Sequence, residues 1–266
     1  MKIVLASMVE ETLIMMKKIS RVIGHKWDAK QRVDEGSTHI SDQAIIDQFT
    51  SHPDNTFLVS FPRTGSHWLR MLMELYFEQP SLVRSFYYPE NRDFLTLHTH
   101  DLDLEVERSH VIYLYRDPID TIFSQLSYHG ETLNDRNQVA YWSDLYGRHL
   151  DKWLHRERFT SRKTILTYEG MKEDLAVEFI KITEHFRREF DKTRLEQSAK
   201  LVSKETVKQK TRHDKNVVQL DTCYEVMRED FQKFQGSFVW ETLTNDRPYL
   251  ANYFAEIPGD EGGFWK

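Results

Sequence analysis

Thr56-Phe57-Leu58-Val59-Ser60-Phe61 runs straight into Pro62-Arg63-Thr64-Gly65-Ser66-His67-Trp68. Beyond it, Trp68, Leu69, Met71, Leu72, Leu75 and Tyr76 recur at helical spacing, and Pro80 stands past the end of that pattern. An apolar strand, a tight turn and a helix are therefore expected in that order. The first N–H groups of such a helix have no intrahelical partner, and the macrodipole favours negative charge there. Gly65 lets the backbone come close to a ligand. Arg63 contributes a cation, and Thr64 and Ser66 contribute hydroxyls. The segment reads as an anion site.

It is not a Walker A loop, which needs a second glycine followed by lysine and a hydroxyl residue. No lysine occurs between Lys30 and Lys152, so cations serving the site from that stretch are arginine or histidine.

Working outward, a second apolar strand, Val111-Ile112-Tyr113-Leu114-Tyr115, leads into Arg116-Asp117-Pro118 and a helix over about 119–128. Asp117 is placed as its N-cap and Pro118 as its first residue. A further helix carries Trp142, Leu145, Tyr146, His149, Leu150 and Trp153 on one face. A third strand is expected from Thr164 to Tyr168, then a helix carrying Met171, Leu175, Phe179, Ile182 and Phe186, and a later one over about 224–234. A short helix is expected near Ser41–Phe49. Alternating βα units with near-continuous apolar strands predict a parallel sheet covered on both faces. Ligands in such folds bind beyond the carboxyl ends of the strands, where both Arg63 and Arg116 fall.

The chain has 266 residues, 39% hydrophobic and 29% charged, with a formal net charge of −6. No nucleic-acid partner and no anionic membrane surface is expected from that charge, and an anionic ligand must be gathered by a local cluster. The single cysteine, Cys223, excludes an internal disulfide and a cysteine-rich zinc site, and fits a reducing compartment. Met1-Lys2-Ile3-Val4-Leu5-Ala6-Ser7 begins like a signal peptide, but Glu10 and Glu11 interrupt the apolar run. A cytoplasmic protein without a membrane span is expected. One domain over residues 1–266 is expected, its core at about 52–250, preceded by a helical or irregular extension over 1–51. Gly259–Lys266 reads as a loose tail.

Three segments together resemble the sulfotransferases that use 3′-phosphoadenosine 5′-phosphosulfate as donor. The family's 5′-phosphosulfate loop is matched by Phe61-Pro62-Arg63-Thr64-Gly65-Ser66-His67-Trp68. Its 3′-phosphate segment is matched by Tyr113-Leu114-Tyr115-Arg116-Asp117-Pro118, with Ser124 eight residues after the arginine. Its histidine motif is matched by His98-Thr99-His100. A fourth match, Leu166-Thr167-Tyr168-Glu169-Gly170-Met171-Lys172, resembles the stretch whose tyrosine approaches adenine. The resemblance covers about residues 56–180. It implies an α/β fold with a central parallel sheet flanked by helices, and a strand–loop–helix phosphate site in the manner of P-loop nucleotide hydrolases.

The resemblance also implies roles. Arg63, with the backbone N–H groups of Thr64, Gly65, Ser66 and His67 and the Ser66 hydroxyl, would stabilise charge on the leaving phosphate. His100 would accept the acceptor hydroxyl's proton, with His98 as the fallback base. Arg116 and Ser124 would hold the 3′-phosphate. Trp68 and Tyr168 would meet the adenine, although Trp68 also fits the apolar face of its helix. Lys233 is the candidate to close over the 3′-phosphate, with Lys208, Lys210 and Arg212 as rivals. No metal is implied. Three residues depart from the family pattern: Arg63 at a lysine common in the cytosolic branch, His67 at a threonine, and His98 at a lysine.

The acceptor is expected to be a hydroxyl of a small molecule or carbohydrate. Phe86-Tyr87-Tyr88, Tyr128-His129 and Tyr141-Trp142 are candidate lining, and the acidic total weighs against highly sulfated polymers. Oligomeric state is left open. Two other functions fit parts of the pattern. One is a magnesium-dependent nucleotide kinase using Asp117 or Asp120. The other is a catalytically silent relative that binds an adenosine phosphate.

Overall fold

The computed structural model describes residues 36–214, 216–217 and 222–254. The signal-peptide-like start, most of the expected extension and the tail from Gly259 lie outside the described residues. Strands β1 (Thr38–His39), β2 (Thr56–Ser60), β3 (Ser81–Leu82), β4 (Arg84–Ser85), β5 (Thr96–Thr99), β6 (His110–Tyr115) and β7 (Arg162–Thr167) interleave with the helices. These are α1 (Gln43–Ser51), α2 (Ser66–Phe77), α3 (Pro118–His129), α4 (Arg136–Leu150), α5 (Tyr168–Glu173), α6 (Leu175–His185), α7 (Lys192–Leu201), α8 (Lys204–Lys210) and α9 (Thr222–Thr244).

Five strands form one parallel sheet in the order β3-β5-β2-β6-β7, and β1 pairs antiparallel with β4. From β2 the chain first builds β3 and β5 on one side, then crosses to β6 on the other. The strand order therefore reverses at β2, and its carboxyl end opens into the crevice where such sheets take ligands.

Side chains alternate across each strand. Phe57, Val59, Val111, Tyr113 and Tyr115 enter one core with residues of α3, α4 and α9. Leu58, Ile112, Leu114 and Leu166 enter a second core with α2, α6 and α7. The sheet is thus covered on both faces, which is why its strands read as unbroken apolar runs.

Asp117 caps α3 by accepting from the Asp120 N–H at 2.9 Å, with Pro118 at its first position. Asp42 caps α1 in the same way. β5 sits beside β2 in parallel register, pairing Thr56 with Thr96 and Val59 with Thr99. Three boundaries differ from expectation. Tyr168 opens α5 rather than ending β7, since Thr167 caps it through the Gly170 N–H. The helix expected through Met171 and Phe186 breaks at Asp174, whose side chain caps α6. The C-terminal helix is also longer than expected, at 23 residues, because its apolar positions Phe231, Val239 and Leu243 all reach the first core.

Candidate active site

The turn after β2 holds Arg63 at φ 71° and Gly65 at φ 93°, two left-handed positions that fold the loop over the strand end. Thr64 is fully buried and its hydroxyl donates to the Phe61 carbonyl at 2.9 Å, so its side chain stiffens the loop. Gly65 is the N-cap of α2 and brings no side-chain cap, which leaves the first N–H groups of α2 for a ligand. A Cβ on Gly65 would stand 2.5 Å from Cδ2 of Tyr168. The glycine is required both by its backbone angle and by the tyrosine ring packed against it.

Arg63 reaches across to α3. Its Nε donates to the Ser124 hydroxyl at 3.1 Å, its Nη2 donates to the carbonyls of Val217 at 2.7 Å and Asn216 at 3.3 Å, and its guanidinium lies 4.8 Å from the Tyr128 ring centre. Arg116 extends back toward the loop. Its Nη1 donates to the Arg63 carbonyl at 3.4 Å, and its Nη2 pairs with Asp120 at 2.7 Å. Its guanidinium stacks 4.5 Å from the Tyr168 ring centre, and its Nε is buried without a partner. Burial works against this charge, but Asp120, Tyr168 and Glu169 hold the guanidinium above its ordinary value. Trp68 is half-buried and meets Tyr168 edge-on at 5.8 Å, while also packing on the second core. Arg63, Thr64, Gly65, Ser66, Trp68, Arg116, Ser124 and Tyr168 thus form one connected group.

The two histidines come together as well. His98, on β5, meets the Ser60 hydroxyl at 3.0 Å through Nε2, and its ring is 4.8 Å from that of His100. His100 lies just past the strand, with Nδ1 2.7 Å from the Ser60 carbonyl. A carbonyl only accepts, so Nδ1 carries the proton and Nε2 holds the lone pair. That Nε2 has no hydrogen-bond partner among the described residues. Burial lowers the pKa of His100 below the ordinary 6.5, and lowers His98 further. His100 is therefore neutral at neutral pH.

His149 supports this arrangement. Its Nε2 donates to the His100 carbonyl at 2.8 Å, so its Nδ1 accepts from the Tyr113 hydroxyl at 2.9 Å. The sequence places His149 on an apolar helix face, and nothing in its spacing distinguishes it from a core residue. Arg84 and Arg228 are equally silent in the sequence. Arg228, on α9, pairs at 3.5 Å with Asp120, the same carboxylate that Arg116 holds. Lys233 points elsewhere: it is five residues on, about 140° around the helix. Its ammonium lies 5.3 Å from the Phe234 ring centre, and no hydrogen bond or ion pair joins it to the site among the described residues. Lys210 is buried and donates to the Phe86 carbonyl at 2.9 Å, away from Arg116.

His67 accepts through Nε2 from Arg84 Nη1 at 2.9 Å, and burial holds its pKa well below 6.5. Of the aromatic candidates, Phe86 lies edge-on to His67 and Tyr128 faces Arg63, whereas Trp142 donates to Glu131 and stacks on His129. Asp117 and Asp120, the acids a kinase reading needs, are committed to the α3 cap and to arginines.

The model of the sulfotransferase domain matches residues 90–240. This is more than half of the chain, and the protein belongs to the sulfotransferase family. Its chemistry is sulfuryl transfer. Among solved structures, the fold is similar to mouse sulfotransferase SULT7A1 complexed with PAP. That match has 16% identity and a TM-score of 0.53, over 80% of this chain and 94% of the other. A retinol dehydratase in complex with androsterone and inactive cofactor PAP matches at 15% identity and a TM-score of 0.46, over 74% of this chain and 82% of the other. No curated protein matches the sequence. No helix among the described residues is long and apolar enough to cross a membrane.

Proposed function

We propose that the protein transfers a sulfuryl group from 3′-phosphoadenosine 5′-phosphosulfate to a hydroxyl of a small molecule or carbohydrate. The observation that carries the reading is the joining of the two phosphate motifs through Arg63 and Ser124, beside a histidine with a free lone pair. The residues suit the donor. The buried Arg116 Nε lacks a partner, the Ser66 hydroxyl has none among the described residues, and Gly65 opens the backbone. The mouse sulfotransferase of similar fold is complexed with PAP, which we take to be adenosine 3′,5′-bisphosphate, the product of this donor.

When bound, the donor supplies an activated sulfuryl group, which leaves its bridging oxygen and forms an S–O bond to the acceptor. Arg63 and the N–H groups at the start of α2 hold negative charge at the 5′ side, where preorganised donors contribute most. The carbonyls of Asn216 and Val217 are neutral acceptors for Arg63 and weaker than phosphate oxygens. Arg116 and Ser124 bind the 3′-phosphate. Tyr168 and Trp68 flank the base. His100 takes the hydroxyl proton on Nε2, while Ser60 and His149 fix its ring and backbone.

Transfer of labelled sulfate from the donor to a panel of phenols, alcohols and sugars tests the reading. Product from the wild-type protein and none from His100→Ala supports it. Turnover equal in the two proteins removes the base assignment, and product from neither overturns the activity.

A further inference from the structure

Beside the donor loop lies a set of cations that the reaction above does not use. Arg84, on β4, extends its guanidinium across the surface of the site. Its Nε donates to the Ser37 hydroxyl at 2.9 Å, Nη1 to His67 at 2.9 Å and Nη2 to His213 at 2.9 Å. Three of the five N–H groups are used in this way and two remain. The His67 contact is part-buried, and the His213 contact is exposed. Arg70 shares the Phe86 ring, its guanidinium 5.1 Å from the ring centre where that of Arg84 is 5.3 Å. Arg70 is buried, and its Nε has no partner.

Neither arginine forms an ion pair among the described residues. Glu74, one turn on from Arg70, spends its carboxylate on the backbone N–H groups of Ser81, Phe86 and Tyr87. The nearby Asp214 takes the Tyr128 hydroxyl. Arg70 is buried and Arg84 half-buried, and the carboxylates that act on them, Glu74 and Asp214, are hydrogen-bonded to other groups, so an anion in direct contact is favourable here. The position is specific, because His67 immediately follows Ser66 of the donor loop and touches Arg84 directly.

We propose that the acceptor carries an anionic group, a carboxylate, sulfate or phosphate, beside the hydroxyl that receives the sulfuryl group, and that Arg84 binds it. This rests on the sulfuryl-transfer reading and adds the acceptor's charge to it. The chain is acidic overall, so the attraction is local: Arg84 touches His67 of the donor loop and lies within electrostatic reach of His98. A neutral acceptor leaves the two remaining N–H groups of Arg84 to water.

Matched probes test it. The protein, with PAP in excess, is titrated with 4-hydroxybenzoate against its methyl ester, and with N-acetylglucosamine 6-phosphate against N-acetylglucosamine. Ring signals of His67 and His213 are followed by NMR. The anionic member of at least one pair is expected to bind about tenfold more tightly or better. Arg84→Gln is expected to abolish that preference, and Arg84→Lys to keep part of it by keeping charge without the fork. Equal binding within both pairs overturns the proposal, as does a preference that survives Arg84→Gln. Loss of PAP affinity in Arg84→Gln also overturns it, by placing Arg84 on the donor side. Failure of the sulfuryl-transfer reading appears separately, as absence of PAP affinity in the wild-type protein.

Discussion

The Nε of Arg63 donates to the hydroxyl of Ser124 at 3.1 Å, across 61 residues of sequence. The loop that opens α2 and the helix that follows β6 are thereby one site. If Arg116 and Ser124 read the 3′-phosphate, Arg116→Ala weakens binding of adenosine 3′,5′-bisphosphate by ~1.5–3 kcal/mol, the scale of a charged hydrogen bond. Affinity for 5′-AMP stays nearly unchanged. Asp120 keeps Arg228 as a partner at 3.5 Å in the variant. Calorimetry on both nucleotides checks this, and equal losses would put the 3′-phosphate elsewhere.

Gly65→Ala places a methyl group 2.5 Å from Tyr168 at a φ of +93°. The strained backbone and the displaced ring together cost about 1–4 kcal/mol. Thermal unfolding should show that loss, and nucleotide affinity should fall with it because Tyr168 carries Arg116 on its face. An unchanged melting temperature would mean that the loop relaxes without Tyr168.

Burial lowers the pKa of His100 below 6.5. The acid limb of kcat/KM, which reports the free enzyme, is therefore expected below pH 6.5, with activity level above it. An acid limb at or above pH 7 would assign the proton transfer to another group.

His149 is held neutral by burial, at about 3 against an ordinary 6.5. Between those values the unfolded chain binds a proton that the folded protein does not, so stability falls as pH drops from about 6.5 toward about 3. His149→Phe removes that contribution and flattens the slope over this window. It also orphans the His100 carbonyl and the Tyr113 hydroxyl, lowering stability at neutral pH by about 2–4 kcal/mol. Denaturant midpoints across pH 4–7 check both effects. If His100 is the base, turnover should fall while PAP affinity holds, because His149 hydrogen-bonds the His100 carbonyl and the Tyr113 hydroxyl.

The parallel sheet, the strand–loop–helix junction and the capped start of α3 were legible because each rests on local chemistry. Apolar runs marked β2 and β6, Asp117-Pro118 marked a helix start, and Gly65 marked a tight turn. The ends of β5 were not legible, since its register is set by β2, some forty residues earlier in the chain. Neither were Arg84, His149 and Arg228. Their roles come from partners far apart in sequence, Ser37 and His213 for Arg84, Tyr113 and His100 for His149, Asp120 for Arg228. Arg70 and Glu74 did leave a trace, as charged residues inside an apolar helix. Lys233 was offered by the resemblance alone, and helix geometry turns it away from the face that carries Arg228.

The most direct measurement is calorimetric titration of the protein with adenosine 3′,5′-bisphosphate, 5′-AMP and ATP in the absence of magnesium. A clear preference for the bisphosphate, lost in Arg116→Ala, is the predicted result. Preference for ATP, or no binding of any of the three, would contradict the donor site built on Arg63, Arg116 and Ser124.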